Sequence, residues 1–532
     1  MPSHRNAFLM SVEREHLTAP AEAPAEAPAE ASEGAEECQI GSLLRKHMKI
    51  LSSLAPSLAC QQGFFNAYGR VYVDYGGHLE IAAAECASPF ELVRVLDCQY
   101  RLIEEAIRRM GTPALFLAGN NHAGRLTQRT ATWGTHENYL VYRHPRELGE
   151  ALLPFLVTRF YAGAGAVLYP DATYLAAARP LFMKLDSGGD TTDSRAIFST
   201  CRQENHGGGD PESFRMHLIV ADGCVSQYNL ALMTGATALV LKAVQADPRC
   251  VADAERLRLR RARQSWVAVM RELNQLARPG EGPRVPPVSI QVQRIYLEAA
   301  RRWVQKSDSA PDWALPILRG WEETLGAAEK EDRAWLAQRL DTFAKYRFLT
   351  TALLARGASW ADVPRNEKLF GILAVLEQEF HKVGPGTPAR RLEEEGLFEH
   401  RVVEAIQPGS ERPEPYVPDL GTRARARARF LREHAGEKHL IMDWAWVQDM
   451  RGNRRGFLRD PFALEYDPWE STKGDPGPRR DPLAGLGVLE RLSELHRRRV
   501  ARRSRSGTGT AAGEEPSREE PAPPSPFEDV PF

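Results

Sequence analysis

Strand-like segments are confined to the first half of the chain, and this ordering limits the folds that it can adopt. Short apolar runs with strand character lie at 7–12, 70–74, 114–117, 139–142 and 217–221. Helical periodicity occurs at 91–110, 252–277, 288–305 and 329–356. Strands concentrated early, with most of the helices after them, predict an α+β fold rather than a repeating βαβ series.

The composition excludes several classes of protein. Of the 532 residues, 43% are apolar, and 69 Lys and Arg against 70 Asp and Glu give a net charge of −1. This balance supports a large buried core and gives no overall field that would attract nucleic acid or an anionic membrane. The seven cysteines form no Cys-x-x-Cys pair, and no segment has the pattern of a signal peptide or a membrane span. We therefore expect a cytoplasmic protein that binds neither nucleic acid nor membrane.

Two segments of biased composition interrupt the chain. Residues 19–37 form an acidic Pro/Ala repeat, interpreted as a mobile insertion, and residues 471–532 form a tail that we predict to be largely disordered. The ordinary sequence between these segments is longer than a single core usually carries. We predict a main domain over 1–410 and a small C-terminal domain over 411–470.

Four arginines alternate along one segment, at Arg423, Arg425, Arg427 and Arg429. No aromatic residues are interleaved with them for stacking on bases, and a period of two distributes side chains around a helix. The pattern favours a solvated helix over a nucleic-acid-binding stripe.

Three separated segments, at 10–15, 70–80 and 134–140, combine apolar strand character with carboxylates, arginine and histidine. In a strand, Glu13 and Glu15 point to the same face, and so do Arg70, Tyr72 and Asp74. Such charges are costly to bury unless Mg²⁺ and nucleotide phosphates compensate them. Each segment alone also fits the polar outer face of a half-exposed sheet, but the three together favour a site.

These segments resemble those of the Pup-protein ligases and their sister depupylases. The first reads Met-Ser-Val-Glu-Arg-Glu where the family has Met-Gly-Ile-Glu-Thr-Glu. Further matches follow in the family's order at 70–74, 78–81, 82–86, 136–140, 153–159, 163–165, 215–220, 422–424, 443–444 and 460–462. The resemblance therefore depends on many short matches spread from residue 10 to residue 462, rather than on one motif.

The resemblance implies a fold and a set of site residues. The family has a glutamine-synthetase-like antiparallel sheet cradle that is packed by helices. By matching position, Mg²⁺ would be held by Glu13, Tyr72 and Glu80. ATP would contact Arg70 and Trp444, and Asp74 would be the proton acceptor. A core tryptophan is common in any protein, so Trp444 has a purely structural alternative.

The resemblance also implies an activity. It implies an ATP-dependent ligase that phosphorylates the side-chain carboxylate of a C-terminal Glu on a small Pup-like modifier. The modifier is then joined to an exposed lysine of a protein substrate as an isopeptide. Two alternatives remain open, namely a depupylase or deamidase that hydrolyses the same kind of bond, and a binding cradle without catalysis.

The chain departs from the family pattern at several positions. Ser11 replaces a glycine, Ala83 replaces a threonine that contacts ATP in the ligases, and 199–206 stands in place of the family's Asn-Thr-Arg-Asp-Glu-Pro-His stretch. Losing one hydroxyl contact costs about 1 kcal/mol, which weakens a nucleotide site without abolishing it. The altered loop is the larger change, because it replaces several polar groups at once.

Overall fold

A computed structural model describes most of the chain, with gaps. The described residues are 7–20, 33–74, 79–110, 114–117, 133–168, 170–189, 195–200, 213–257, 259, 264–274, 282–384, 386–403 and 421–472. The middle of the acidic repeat, residues 201–206 of the altered loop and the tail beyond residue 472 therefore lie outside the described residues. The first two residues of the repeat end a strand, and its last five begin a helix.

A mixed sheet runs through the molecule and has 14 strands over the described residues. In chain order all the strands are β1 (Met10–Pro20), β2 (Leu58–Cys60), β3 (Gly63–Asn66), β4 (Gly69–Val73), β5 (Leu79–Ala83), β6 (Ala114–Leu117), β7 (Gly134–Val141), β8 (Ala166–Leu168), β9 (Thr173–Leu175), β10 (Leu185–Gly188), β11 (Ala196–Ser199), β12 (Phe214–Asp222), β13 (Leu440–Asp443), β14 (Trp446–Asp449), β15 (Arg454–Phe457) and β16 (Glu470–Ser471). The order across the sheet is β10-β11-β12-β7-β1-β5-β4-β3-β2-β13-β14-β15-β16, with β6 paired to β1, while β8 and β9 form a separate hairpin. Most neighbours are antiparallel, as the α+β prediction requires.

Most of the helices contribute to the main core on one face of this sheet, whereas the last helix packs against Leu58, Phe65 and Leu440. The helices are α1 (Glu33–Leu54), α2 (Pro89–Met110), α3 (Pro145–Val157), α4 (Gln227–Ala246), α5 (Ala252–Arg256), α6 (Trp266–Asn274), α7 (Pro287–Lys306), α8 (Ala314–Glu329), α9 (Arg333–Arg339), α10 (Asp341–Leu354), α11 (Glu367–Phe380), α12 (Pro388–Glu394) and α13 (Arg423–Glu433). The fold class predicted from the sequence is confirmed.

Strand β1 shows how the sequence separates the two faces of the sheet. Met10 and Val12 are buried in the main hydrophobic core with residues of α2 and α4. Glu13 and Glu15 alternate with them, and their side chains are 19% and 17% exposed. Because successive strand residues point to opposite faces, the helices cover one face of β1 and leave a polar face on the other side.

Helix α4 passes through the middle of the helical layer. It is long and apolar enough to cross a membrane, but 89% of its apolar window is buried inside the protein. A helix that is apolar on all sides is expected in the core of a large domain. No other helix within the described part of the chain passes the same test.

The helical pattern at 329–356 is interrupted in the structure. Helix α8 ends at Glu329, and α9 and α10 meet at Leu340, whose backbone is extended. Two carboxylates account for the interruptions. Asp332 caps α9 by accepting from the N–H of Trp335, and Asp341 accepts from the N–H groups of Val225 and Ser226 just before α4. A periodic pattern does not reveal such capping contacts.

The C-terminal strands continue the same sheet. Strand β13 pairs in parallel with β2 at Ile441 and Ala59, and β14 and β15 extend the sheet beyond it. The division of the chain at residue 410 stays a prediction.

Candidate active site

The strand register forms two rows of side chains on the polar face of the sheet. Glu13 on β1 lies opposite Ala82 on β5, which lies opposite Arg70 on β4. The next row on the same face consists of Glu15, Glu80 and Tyr72. Directly opposed residues of antiparallel strands project to the same side, so the two rows form one surface, here called the carboxylate face.

Glu13 is held by several polar groups. An Arg215 Nη atom donates to Glu13 Oε1 at 2.5 Å, and Asn138 Nδ2 donates to the same oxygen at 3.3 Å. His136 Nδ1 lies 3.6 Å from Glu13 Oε2. Burial alone would raise the pKa of this carboxyl group, but the charge of Arg215 and the hydrogen bond from His136 outweigh burial and hold the pKa far below its usual range. Glu13 is therefore a carboxylate at neutral pH.

Glu80 has the opposite electrostatic environment. It is 5% exposed, and its pKa is raised well above the usual value by burial first and then by the negative charges of Glu13, Glu15 and Asp74. A hydrogen bond from Tyr72 opposes this shift only in part. Burial and the charge of Glu80 also raise the pKa of the Tyr72 hydroxyl. The carboxylate face thus concentrates more negative charge than its protein cations compensate, which is the environment that a divalent cation stabilises.

Arg70 lies at the edge of the carboxylate face. One Nη atom donates to the carbonyl of Gln61 at 2.7 Å, and the guanidinium lies 4.3 Å from the centre of the Tyr72 ring. Its buried Nε has no hydrogen-bond partner among the described residues. A guanidinium fixed at the edge of this face suits a phosphate oxygen.

Trp444 follows β13 and reaches the site from the C-terminal segment. Its ring meets Phe65 edge to face with 4.9 Å between centroids, and Phe65 lies opposite Arg70 in the β3–β4 pair. Trp444, Glu13 and Arg215 line a cavity of about 80 Å³. An indole face on the wall of a cavity that also contains carboxylate and guanidinium groups suits a nucleotide base.

Asp74 follows the last residue of β4 on the same side as Tyr72 and Arg70. It is half-buried, and its charge contributes to the raised pKa of Glu80. The structure therefore brings Glu13, Arg70, Tyr72, Asp74 and Glu80 together on one face, with Trp444 on the wall of the adjoining cavity.

Two histidines and two arginines also belong to this surface, although the sequence analysis gave them no role. His136, His217 and Glu13 each offer a ligand atom within 4.8 Å of the other two. Arg179 donates to His136 Nε2 at 3.0 Å and lies 3.5 Å from a carboxylate oxygen of Glu15. Arg215, which donates to Glu13, is the second of the two arginines. Strand alternation at 134–140 and 214–222 was the available signal, because it places His136 and His217 on a single face once β7 pairs with both β1 and β12.

A buried cluster of one carboxylate and two guanidinium groups lies at the Trp444 end of the site and contacts the backbone there. Glu85 accepts hydrogen bonds from both Arg423 and Arg427, and Arg427 also donates to the carbonyl of Trp444 at 2.8 Å. Arg423 and Arg427 are 2% and 3% exposed. The prediction of a helix is confirmed, but the prediction that it is solvated is wrong for these two arginines. They lie four residues apart on one helical face, and Glu85 neutralises them there.

The pH dependence of the unfolding free energy of a Glu85 variant tests whether these ion pairs stabilise the fold. The two guanidinium groups overcome the effect of burial and lower the pKa of Glu85 to about 2. A lowered carboxyl pKa stabilises the fold above the unfolded value of about 4.5, and this contribution disappears as the pH falls through the folded value. We expect Glu85→Gln to lose about 3 kcal/mol of unfolding free energy relative to wild type near neutral pH. In urea unfolding the gap should close between pH 4.5 and pH 2, and a gap that is independent of pH would contradict the prediction.

The departures at Ser11 and Ala83 are adjacent in space. The Ser11 hydroxyl donates to the carbonyl of Ala83 at 2.7 Å. Ala83 is fully buried in the main core, on the face of β5 that meets the helices. Ser11 therefore ties β1 to β5 at the border of the cavity.

Known proteins are similar to this chain over most of its length. The family model described as Pup-ligase protein matches residues 13–448. A Pup–protein ligase of Kribbella flavida is 30% identical over 422 residues, which cover 75% of this chain and 87% of that protein. A Pup–protein ligase of Micrococcus luteus is 31% identical over 401 residues, covering 71% and 81%.

Solved structures share the fold. A crystal structure of the ligase PafA in complex with the prokaryotic ubiquitin-like protein Pup superposes with a TM-score of 0.62 and 20% identity, covering 96% of this chain and 99% of PafA. PafA in complex with ADP gives a TM-score of 0.58 and 21% identity, covering 86% and 93%. The extent of the family match and the identity to its curated members show that this chain belongs to the Pup-ligase family.

Proposed function

We propose that this chain is an ATP-dependent ligase that joins a Pup-like modifier to protein lysines. The observation that supports this function is the convergence of Glu13, Tyr72 and Glu80 with Arg70 on one sheet face, with Asp74 at its edge. The same arrangement fits the chemistry of the family to which the chain belongs. The modifier supplies a C-terminal Glu, and the protein substrate supplies an exposed lysine.

In this proposal, Mg²⁺ is held by Glu13, Tyr72 and Glu80. The fit follows from Glu80, because a buried carboxyl group whose pKa is raised by neighbouring carboxylates becomes an effective oxygen ligand when a cation compensates that charge. The ion would neutralise phosphate charge during transfer. Tyr72 donates to Glu80 and keeps that carboxyl group oriented toward the face.

ATP is held at the Trp444 end of the cavity. Trp444 would contact the base from the cavity wall, and the guanidinium of Arg70 would bind phosphate oxygens. Arg70 and Trp444 are linked through Phe65, so both ends of the nucleotide meet groups from the same part of the sheet.

The reaction has two steps because a carboxylate does not condense with an amine in neutral water. In the first step, an oxygen of the Glu side-chain carboxylate attacks the γ-phosphorus of ATP, and the bond to the β-phosphate oxygen breaks to release ADP. In the second step, a lysine amine attacks the acyl carbon of the resulting acyl phosphate, and inorganic phosphate leaves. Asp74 first holds the lysine ammonium and then accepts its proton, which leaves an isopeptide bond.

Product analysis tests the proposal. Full-length protein is incubated with ATP, MgCl₂, a Pup-like polypeptide ending in Glu and a lysine-bearing acceptor protein. We expect equal amounts of ADP and isopeptide conjugate, identified by mass spectrometry. Absence of ADP with every Glu-terminated polypeptide would contradict a ligase. Cleavage of a preformed conjugate that requires ATP without consuming it would favour the hydrolytic alternative instead.

Replacing Glu80 tests the magnesium assignment. We expect Glu80→Gln to weaken Mg²⁺ binding by roughly 10–100-fold, because a neutral amide replaces a carboxylate ligand. Isothermal titration with MgCl₂ in the presence of ADP measures the change. Glu147→Gln on the exposed surface of α3 is the matched control and should bind Mg²⁺ like wild type. Equal Mg²⁺ affinity of Glu80→Gln and wild type would refute this ligand assignment.

We also propose that the protein is cytoplasmic. Five cysteines within the described residues, at positions 60, 86, 98, 224 and 250, are free thiols, as expected in a reducing compartment. Neither the balanced charge nor the buried helix α4 provides a surface for nucleic acid or membrane.

A further inference from the structure

A second cavity lies behind the sheet, on the side opposite to the carboxylate face. It has a volume of about 110 Å³ and is enclosed by β1, α2, the start of α4 and residues from 381 to 401. Arg14 of β1 forms part of its wall. The proposed reaction uses no group in this cavity.

Arg14 is a buried cation without a carboxylate partner in the described part of the chain. It is 4% exposed, and its two Nη atoms contact the hydroxyl of Tyr100 at 3.1 Å and the thiol of Cys224 at 3.4 Å. Its Nε is buried and has no hydrogen-bond partner among those residues. The nearby carboxylate of Asp341 already accepts the N–H groups of Val225 and Ser226. Buried arginines are normally paired, so an anion beside this guanidinium would supply a counter-charge that the described residues do not.

The acidic residues of the cavity wall are already paired with other cations. Asp97 lies 3.1 Å from Arg101, and Glu104 lies 3.6 Å from Arg390. Glu393 pairs with Arg401 and also lies 3.5 Å from His400. Of the wall cations, Lys382 pairs with Glu379 at 3.2 Å, and Arg390 and Arg401 pair with these carboxylates. Arg14 is therefore the wall cation that no carboxylate of the described residues pairs with.

One part of the wall is apolar. Val93 and Leu96 of α2 and Leu230 of α4 face the cavity. A planar guanidinium recognises a planar carboxylate through two parallel hydrogen bonds, and the apolar wall suits a short hydrocarbon chain. We propose that this cavity binds a small organic carboxylate, whose charged group is held by Arg14. The proposal does not depend on the ligase activity, because its site lies on the opposite face of β1.

Titration of the full-length protein with butyrate tests the proposal, with butyramide and inorganic phosphate as the comparison ligands. We expect one butyrate per chain, no binding of butyramide, and binding at least about tenfold weaker in both Arg14→Met and Arg14→Lys, because neither replacement offers the bidentate fork. Arg294→Met, a surface replacement on α7, is the control and should bind butyrate like wild type. Glu80→Gln should also bind it normally, which separates this cavity from the carboxylate face.

A measurement on the wild-type protein keeps the test independent of folding of the Arg14 variants. Butyrate should raise the midpoint of thermal unfolding of the wild-type protein relative to the same concentration of butyramide, because a ligand that binds only the folded chain stabilises it. Equal unfolding midpoints with both ligands would overturn the proposal. Binding of phosphate without butyrate, or unchanged butyrate binding by folded Arg14→Lys, would also overturn it.

Discussion

Asp74→Asn is expected to lower the rate of lysine conjugation by about 10²–10⁴-fold while ADP release and acyl phosphate formation continue. The reason is the state of the lysine, whose amine has a reference pKa of about 10.4 and is almost wholly protonated at pH 7. A carboxylate at position 74 can take that proton, whereas an amide cannot. The variant should therefore separate the two half-reactions, which a general loss of folding would not do.

Quench assays can follow the two half-reactions separately. They measure ADP and hydroxylamine-trapped acyl phosphate for the first half-reaction, and conjugate for the second. The deficit of Asp74→Asn should shrink as the pH rises from 7 to 9.5, because each unit yields about ten times more free amine. Asp171→Asn, at an exposed turn, is the matched control and should conjugate like wild type. Equal conjugation by Asp74→Asn and wild type at pH 7 would remove Asp74 from the mechanism.

Glu137→Ala is expected to lower the free energy of unfolding by about 3–5 kcal/mol, since it leaves a buried arginine without its counter-charge. Glu137 lies on β7, and its carboxylate accepts from both Nη atoms of Arg159 at 2.8 and 2.9 Å. Both side chains are fully buried. Tyr139 donates to the same carboxylate at 2.6 Å, and Arg159 donates to Thr237 of α4 at 2.8 Å. The network thus joins the sheet that carries the site to the helix behind it.

Urea unfolding followed by circular dichroism measures this loss. Glu147→Ala removes an exposed glutamate from α3 and should cost less than about 1 kcal/mol. The double replacement Glu137→Leu with Arg159→Met should recover much of the stability, because an apolar pair leaves no buried charge uncompensated. A loss below about 1 kcal/mol in Glu137→Ala would show that the pair is not part of the structural core.

The sequence predicts which residues share a face of each strand, but it does not predict which strands pair with each other. If 10–15 and 70–74 are strands, alternation places Glu13 beside Glu15, and Tyr72 beside Arg70 and Asp74, in any arrangement of the sheet. Which strands lie side by side depends on register, and a shift of one residue would have turned Glu80 toward the helices. The structure pairs Glu80 with Glu15 and Tyr72, and this pairing concentrates the negative charge.

Contacts between distant segments account for what the sequence analysis missed. The helix predicted at the arginines of α13 is correct, but the predicted solvent exposure is wrong for Arg423 and Arg427. Their partner Glu85 is more than 300 residues away in the chain, so the local pattern does not reveal it. His136 and His217 lie on different strands and meet Glu13 only when β12, β7 and β1 are adjacent. In the sequence, Arg14 is one of several charged residues of a predicted strand. In the structure it lines a cavity that four separate segments enclose.

The amino-acid sequence alone predicted the α+β class and the two faces of each strand, and its resemblance to a known family indicated which residues would hold a nucleotide and a cation. The class and the faces follow from periods of two and 3.6 residues, which are local and require no knowledge of the partner segment. Only the tertiary structure decided which charges are compensated. A charge becomes paired, or stays without a partner, according to segments that chain folding brings within about 4 Å of it, and electrostatic energies inside a protein depend on that distance and on burial.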